Sequence, residues 1–371
     1  MKTTTLFLLF TFPLCAAEPY PLWSGPEIPS DVEQIPFVKD VQHQTIHDAR
    51  THDYKFLHGA AIVNFKGTFY VNWANSPIDE NKAHETLQGR RSTDGGKTWS
   101  KPEIIGSDLP GADRRSHAAY LKHKGQLWTF AARFGIGDEP AKRFKGLKAE
   151  AFVLNEKTQQ WDSKGIVIEN CWPYEEPVLM GNGNYIVAGQ DKDAKAVVAI
   201  SHGDDLTKWD TVLIPFPPAM KYSFAETTVW AEGVKVTAVI RTRTGVAWVA
   251  TSTDGGRTWP DVRPSNMPMP DAKAYLGKLS TGQLYMVSNL KNRDTLVISV
   301  GKPGEKTLSS VQRIRHGSSK PIPRVKGHAK EPSWSYPYAY EHEGKLYIVY
   351  SIGKEDCGLS VIPIESLTGS N

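Results

Sequence analysis

The chain has 371 residues, with 44 lysines and arginines against 40 aspartates and glutamates, so its net charge is +4. A balance this close to neutral excludes the strong positive field of a nucleic-acid-binding protein. Hydrophobic residues make up 40% and charged residues 23%, which excludes a largely disordered chain. The 31 glycines, 25 prolines and 10% aromatic residues are typical of short strands joined by tight turns, not of a helical bundle.

The first seventeen residues predict a secretory signal peptide. Lys2 gives a positive start, an apolar run extends from Leu6 to Leu14, and Cys15-Ala16-Ala17 resembles a small-residue cleavage site. The segment is too short to span a bilayer as a helix, and no other window reaches that length. Lipidation at Cys15 is the weaker alternative, because leucine precedes it. We therefore expect a secreted or periplasmic protein without membrane insertion, whose mature part, residues 18–371, forms one domain.

Alternating apolar and polar residues predict many short strands, beginning soon after residue 60. The clearest of them fall at residues 61–65, 68–73, 234–240, 283–287 and 345–350. No long stretch has the period of a helix. The chain is therefore predicted to be all-β.

Two octapeptides nearly copy each other. Residues 92–99 read STDGGKTW and residues 252–259 read STDGGRTW, so only the basic position differs. Asp-Gly-Gly favours a hairpin turn, because glycine supplies positive φ and aspartate bonds to the turn backbone. Weaker echoes end at residues 161, 209 and 308, which gives a spacing of about fifty residues, as expected for propeller blades. We predict six blades.

The octapeptide Ser-x-Asp-x-Gly-x-Thr-Trp is the Asp-box, or BNR repeat, and on it the chain resembles the sialidase (neuraminidase) superfamily. The resemblance implies a six-bladed β-propeller with the two full Asp-boxes on the rim, away from the active site. It also implies an active site in which three arginines bind a substrate carboxylate. A tyrosine paired with a glutamate is the nucleophile there, and an aspartate is the acid/base. The Asp-box predicts fold better than function.

Four residues follow the order of the family's site. Glu226 precedes a predicted hairpin that ends at Arg241, and both resemble the catalytic glutamate and one arginine. Arg293 resembles the next arginine and Tyr336 the nucleophile. A guanidinium is a forked, permanent donor for a carboxylate, and a phenol needs an adjacent base to become a nucleophile. Solvent-exposed charges and a packing tyrosine are the structural alternatives.

Two family positions differ. His58 stands where the first arginine is expected, and no carboxylate stands near Trp73-Ala74-Asn75, where the acid/base aspartate is expected. The general acid stays open among His58, Asp79 and Asp271. Glu80 and Glu85 also follow, but loop charges in solvent are the simpler interpretation of both. Because an imidazole is neutral or half-charged near pH 7, we expect binding of an anionic sugar to weaken as His58 loses its proton.

Further polar residues lie at predicted blade openings or beside the segments above, and we expect them to line one central funnel. The predicted substrate-binding residues are Arg115, His117, Glu176, Trp73, Asn75 and Tyr338, together with Arg241 and Arg293. Tyr336, Glu226, His58 and Asp271 are the predicted catalytic residues.

Cys171 and Cys357 are the only cysteines after residue 17. They either form one disulfide in an oxidising compartment or pack as two buried thiols. Neither lies at metal-ligand spacing, and the acidic residues do not cluster as in a calcium loop. No metal or other cofactor is expected.

Three functions agree with these residues. The first is an exo-acting, retaining glycoside hydrolase of sialidase type on a terminal acidic or deoxy sugar of a glycan or polysaccharide. The second is a polysaccharide lyase, in which Arg241 and Arg293 neutralise a uronate while His58 or Tyr336 removes a proton. The third is a carbohydrate-binding propeller without turnover, which the missing aspartate and arginine favour.

Overall fold

The structure is a computed structural model that describes residues 18–49, 54–77, 79–82, 84–106, 109, 113–135, 144–316, 323–328 and 330–368. The predicted signal peptide, residues 1–17, lies outside the described residues. In the described parts of the chain, 25 strands form six antiparallel sheets.

The first strand in the chain, β1 (Gln42–His47), belongs to the last blade. Blade 1 contains β2 (Phe56–Phe65), β3 (Thr68–Ser76), β4 (Thr86–Ser92) and β5 (Glu103–Ile104). Blade 2 contains β6 (Arg114–His123), β7 (Gln126–Gly135), β8 (Lys145–Asn155) and β9 (Gln160–Glu169). Blade 3 contains β10 (Trp172–Pro173), β11 (Val178–Leu179), β12 (Tyr185–Gln190), β13 (Ala196–His202) and β14 (Asp205–Leu213).

The second half of the chain repeats this arrangement. Blade 4 contains β15 (Thr227–Glu232), β16 (Lys235–Ile240), β17 (Val246–Ser252) and β18 (Arg263–Pro268). Blade 5 contains β19 (Tyr275–Lys278), β20 (Leu284–Leu290), β21 (Asn292–Val300) and β22 (Ser310–Arg315). Blade 6 contains β23 (Trp334–His342), β24 (Lys345–Ile352), β25 (Asp356–Pro363) and β1. The prediction of an all-β, six-bladed propeller is confirmed.

Burial follows the position of a strand in its blade. All ten residues of β2 are buried, because this innermost strand packs against β6 and β23 of the two adjacent blades. Such a strand reads as a nearly continuous apolar run. The outer strand β9 is mostly exposed and keeps only Val167 and Ile168 buried. The apolar core therefore lies between blades.

The N-terminal segment closes the ring from outside. Single bridges join Tyr20 to Ser265 of blade 4 and Trp23 to Leu308 of blade 5. The segment then pairs as β1 with β25, so the last sheet contains both the start and the end of the propeller. This pairing closes the ring of blades by hydrogen bonds between strands from the two ends of the propeller.

The Asp-boxes occupy the hairpins between the third and fourth strands of blades 1 and 4. In the first box, Asp94 Oδ1 accepts hydrogen bonds from the backbone N–H groups of Lys97 (3.0 Å) and Thr98 (2.9 Å). The Thr98 hydroxyl donates to Asp94 Oδ2 at 2.6 Å, and this bond lowers the pKa of Asp94 below its ordinary value. Asp254 makes the same contacts in the second box. The echoes at residues 161, 209 and 308 lie at the same hairpin of blades 2, 3 and 5.

Helical structure among the described residues is short: a 3₁₀ turn at Val32–Gln34 and α1 (Glu365–Thr368). No helix found in those parts of the chain has the length and apolarity to cross a membrane. Cys171 and Cys357 are free and buried, in blades 3 and 6, and burial raises the pKa of both thiols. The alternative of two buried thiols is therefore the one that the structure has.

Candidate functional site

A small cavity of ≈ 40 Å³ opens at the end of the ring where the innermost strands begin. Blades 1, 2, 3, 4 and 6 all contribute to it, as does the loop between β3 and β4. Its described lining is mostly aromatic, histidine and acidic. The lining residues are Phe56, His58, Glu80, Asn81, Glu85, Ser116, His117, Phe144, Trp172, Tyr174, Gln190, Phe224, Glu226 and Tyr336.

Tyr336, Glu226 and Arg241 form a buried hydrogen-bonded triad at this cavity. The Tyr336 hydroxyl donates to Glu226 Oε1 at 2.6 Å. Arg241 Nη1 donates to Glu226 Oε2 at 2.5 Å and to the Tyr336 oxygen at 3.1 Å. The structure therefore brings together three residues that the sequence predicted to act together.

Local folding explains this meeting. Glu226 immediately precedes β15 and Arg241 immediately follows β16, so both lie at the open end of one hairpin, where the Arg241 N–H donates to the Glu226 carbonyl at 3.0 Å. Tyr336 comes from blade 6, at a β-bulge of β23, with a left-handed φ of 58°. The Arg293 guanidinium lies 5.7 Å from the centre of the Tyr336 ring.

Both arginines contact the protein's own acceptors. Arg241 Nε donates to Asp271 Oδ1 at 2.7 Å, in addition to its bond with Glu226. Arg293 Nη2 donates to the Asp271 carbonyl at 3.0 Å, and its Nε lies 3.8 Å from Glu331. Asp271, predicted as a candidate acid, is a half-buried ion-pair partner of Arg241 and does not line the cavity.

His58 and His117 lie side by side in the cavity. The His58 ring centre is 3.7 Å from that of Tyr336 and 6.0 Å from that of His117. Burial holds the pKa of His58 well below its ordinary value, and the nearby Lys354 ammonium lowers it further. Burial also lowers the pKa of His117 to about 3. Both rings are therefore neutral near pH 7. The expectation that His58 loses its proton as the pH rises through neutrality is wrong, because burial disfavours the charged imidazolium and keeps the pKa well below that range.

The loop between β3 and β4 supplies acidic groups. Glu85 is buried, accepts the Asn81 N–H at Oε2 (2.8 Å), and has its pKa raised to about 7 by burial. Glu80 pairs with Lys354 at 2.6 Å. Asp79 accepts the backbone N–H of His328 at 2.6 Å, which holds the loop against blade 6. The interpretation of Glu85 as a solvated loop charge is therefore wrong.

Three predicted substrate contacts in blades 1 and 2 lie outside the cavity. Arg115 is buried inside blade 2, where its Nη2 donates to Glu150 at 2.8 Å. Trp73 is fully buried, with its ring centre 4.7 Å from that of His47. Asn75 is buried in β3, paired in register with Leu57. The expectation that they line the funnel is wrong, because none of the three is among the described lining residues of the cavity.

Glu176 and Tyr338 are also buried elsewhere. Both lie beside Tyr275 of blade 5, whose hydroxyl donates to Glu176 Oε1 at 2.6 Å. The Tyr338 and Tyr275 ring centres are 5.0 Å apart. Neither residue lines the cavity, so these two predicted substrate contacts are packing residues around a buried carboxyl group.

Sequence reasoning missed the aromatic wall. Trp172 and Tyr174 stack with ring centres 5.7 Å apart, and Trp172 lies 4.9 Å from His117. Phe144 and Phe224 continue this wall. The segment Cys171-Trp-Pro-Tyr174 was the available signal. As for a metal, the described residues contain no group of three or more histidine, cysteine, aspartate or glutamate side chains arranged to hold one.

Comparison with solved structures finds the same fold at low sequence identity. A protein of unknown function from Dyadobacter fermentans matches with a TM-score of 0.63 and 15% identity over 87% of this chain and 99% of its own. A Hadza microbial sialidase, Hz136, matches with 0.65 and 16%, over 88% and 69%. Trypanosoma rangeli sialidase, solved as a covalent intermediate with 2,3-difluorosialic acid, matches with 0.68 and 14%, over 90% of this chain and 60% of its own.

Sequence comparisons identify a family but no individual curated relative. No curated protein sequence matches the chain significantly. The family described as BNR repeat-like domain matches residues 67–348, which run from the start of β3 to β24 and so cover well over half of the chain. The two Asp-boxes and the hairpins that hold them fall within this match. The chain therefore belongs to the BNR repeat-like family and has the sialidase-like, six-bladed form of the propeller.

Proposed function

We propose that the protein is an exo-acting, retaining glycoside hydrolase that removes a terminal sugar from a glycan or polysaccharide. The observation that carries this proposal is the buried Tyr336–Glu226 hydrogen bond of 2.6 Å, with Arg241 against both groups. Burial raises the pKa of Tyr336, so the phenol is protonated and needs Glu226 to accept its proton. Sialidases use a tyrosine in this way instead of a second carboxylate.

Glu85 supplies the general acid that the family pattern lacks here. It lines the same cavity as Tyr336, and its pKa of about 7 keeps a large protonated fraction near neutral pH. A catalytic acid works best when its pKa lies near the working pH. Asp271, in contrast, is held by Arg241.

The reaction proceeds in two displacements. Tyr336 Oη bonds to the anomeric carbon while the glycosidic C–O bond breaks; the phenol proton passes to Glu226, and Glu85 protonates the departing oxygen. Water then attacks the anomeric carbon and gives a proton to Glu85, and Tyr336 leaves with the proton that Glu226 returns. Arg241 orients Glu226 and the phenol in both steps. Two inversions retain the anomeric configuration.

A trapping experiment tests this proposal. An activated glycoside with ring fluorine beside the anomeric carbon should slow the second displacement and leave a sugar on Tyr336, detected by peptide mass spectrometry. Tyr336→Phe should abolish the label, whereas Tyr340→Phe should keep it, because Tyr340 lies near the other end of β23, where Lys122 of blade 2 donates to its hydroxyl. NMR of the first product should show retention. Inversion, or a label on another residue, would refute the tyrosine mechanism.

The two alternatives have less support. The lyase needs Arg241 and Arg293 for a substrate uronate, but both contact protein acceptors. An unsaturated product with new ultraviolet absorbance would support it. The binding-only hypothesis was favoured by the missing aspartate and the missing first arginine, and Glu85 offers an acid in place of the aspartate. We further propose, from residues 1–17, that the activity operates outside the cytoplasm.

A further inference from the structure

Three imidazole nitrogens at the cavity are buried without a hydrogen-bond partner among the described residues. They are Nε2 of His58 and both Nδ1 and Nε2 of His117. The fourth, His58 Nδ1, lies 3.3 Å from the Ser351 hydroxyl. Buried polar atoms are nearly always paired, because an unpaired one loses its bond to water without replacement. Three unpaired ring nitrogens on the wall of one cavity therefore point to a ligand that completes their hydrogen bonds.

The chemistry of these nitrogens selects the ligand. A neutral imidazole donates from one nitrogen and accepts at the other. A sugar hydroxyl also donates and accepts, so it can bond to either nitrogen of His58 or His117. A carboxylate only accepts, and it is bound best by charged, forked donors. Unlike the arginine expected from the family, neither ring offers such a donor.

The surrounding charges agree with this selection. Arg241 and Arg293 already donate to Glu226 and to Asp271. The described lining of the cavity contains Glu80, Glu85 and Glu226 but no arginine or lysine, so it offers a substrate carboxylate no cationic partner. Trp172 and Tyr174, which line the same cavity, offer aromatic faces for the C–H face of a sugar ring.

We propose that the cavity binds an uncharged sugar ring through its hydroxyl groups, with His58 and His117 as the hydroxyl-binding residues. Cleavage of this sugar depends on the proposed glycosidase activity, whereas binding of the sugar does not. The sugar bound in the cavity is then a neutral hexose or deoxyhexose, and not the acidic sugar expected from the family resemblance.

Matched substrates test the charge preference. Aryl hexosides and the aryl hexuronides of the same stereochemistry differ only in a CH₂OH or a carboxylate at C6; an aryl sialoside is added to the series. We expect the best neutral hexoside to exceed its hexuronide in kcat/KM by more than about tenfold. A hexuronide or sialoside that is cleaved as fast or faster would overturn the proposal.

A binding arm separates this proposal from the catalytic one. Saturation-transfer NMR with Tyr336→Phe and free neutral sugars, uronic acids and sialic acid measures binding without turnover. Neutral sugars bound but never cleaved by the wild type would support the cavity's selectivity and refute the glycosidase. Retaining cleavage that prefers carboxylated sugars would support the glycosidase and refute the selectivity. If no neutral sugar in the series binds, the selectivity is refuted as well.

Variants test the two histidines directly. His117→Leu and His58→Leu should each weaken binding of the neutral sugar about three- to tenfold, the loss expected from one or two ordinary hydrogen bonds. His117→Gln, which keeps a donor and an acceptor, should recover part of that loss and guards against misfolding of the leucine variants. His202→Gln, on the outer part of blade 3, is the control and should bind normally. Unchanged binding in all three cavity variants would overturn the assignment.

Discussion

Glu85 should cost the protein stability above neutral pH, and Glu85→Gln should remove that cost. Burial raises the pKa of the Glu85 carboxyl from 4.5 to about 7. At ~1.4 kcal/mol per pKa unit, this corresponds to about 3 kcal/mol. Between these two pH values the folded state holds a proton that the unfolded state has released. The stability contributed by this proton is therefore complete below pH 4.5 and is lost as the pH rises to about 7.

The glutamine variant is neutral at every pH and keeps an oxygen for the Asn81 N–H. We expect its free energy of unfolding to match that of the wild type near pH 4.5 and to exceed it by about 3 kcal/mol near pH 8. Urea denaturation at both pH values, followed by tryptophan fluorescence, measures the two differences. Glu305→Gln, at an exposed position, is the control and should show no such pH-dependent gain. The same difference at both pH values would refute a buried carboxyl with a raised pKa.

The same substitution should lower activity while it raises stability. Loss of a general acid typically costs ~10²- to 10⁴-fold in kcat. With an activated aryl leaving group the loss should be small, because such a group departs without a proton. With an alkyl leaving group, which needs a proton to depart, kcat should fall by the full ~10²- to 10⁴-fold. Equal losses with both substrates would show that Glu85→Gln disturbs the cavity instead of removing a proton donor.

Three further predictions concern the nucleophile, the bulge and the Asp-box. Tyr336→Phe should reduce kcat at least ~10³-fold with a nearly unchanged Kd for the sugar, measured by steady-state kinetics and titration. Gly59→Ala should destabilise the protein by ~1–3 kcal/mol in urea, because its Cβ would lie 2.2 Å from His117 Cγ and its φ is 60°. Asp254→Asn should lower Tm at pH 7, and the difference should shrink in acid, because the hydrogen bond from Thr258 lowers the pKa of Asp254 and its stabilisation is lost as this group protonates.

Most of the fold could be predicted from the Asp-box repeats and their spacing. Each box closes its own hairpin through contacts within seven residues, as in Ser92 to Thr98, so its geometry is local and can be read from one short segment. The spacing of about fifty residues then gave the number of blades. The pairing of β1 with β25 had no such signal, because it joins residues more than 300 positions apart and depends only on closure of the ring.

The site was predictable where one hairpin fixed it. Glu226 and Arg241 are joined by β15 and β16, so their spacing alone brings them together. The partner of Arg241 was not predictable, because Asp271 reaches it from the opening of the next blade. Glu85 was missed for a related reason. Its altered pKa comes from burial under the folded loop, and no property of the local sequence distinguishes it from the solvated glutamates of other loops.

One irregularity, repeated in three neighbouring blades, lies beside two of the wrongly assigned residues, Arg115 and Tyr338. The registers of β2, β6 and β23 each gain one extra residue near the cavity, between His58 and Ala61, Arg115 and Ala118, and Ser335 and Tyr338. An extra residue reverses the alternation of side chains along a strand. Extrapolation from the regular part of each strand therefore assigns the wrong face near the cavity.

The same bulge positions Tyr336, the proposed nucleophile. By register, Tyr336 in β23 corresponds to Gly59 in β2, and the two have nearly the same left-handed φ, 58° and 60°. Glycine adopts this conformation without strain, whereas a tyrosine pays ~1–2 kcal/mol for it. Strain of this kind persists where the surrounding structure holds it, and here the Tyr336 hydroxyl is held by Glu226 and Arg241. Of these three bulges, the one in β23 therefore has a strained, non-glycine backbone, and its side chain is the one that bonds to Glu226 and Arg241.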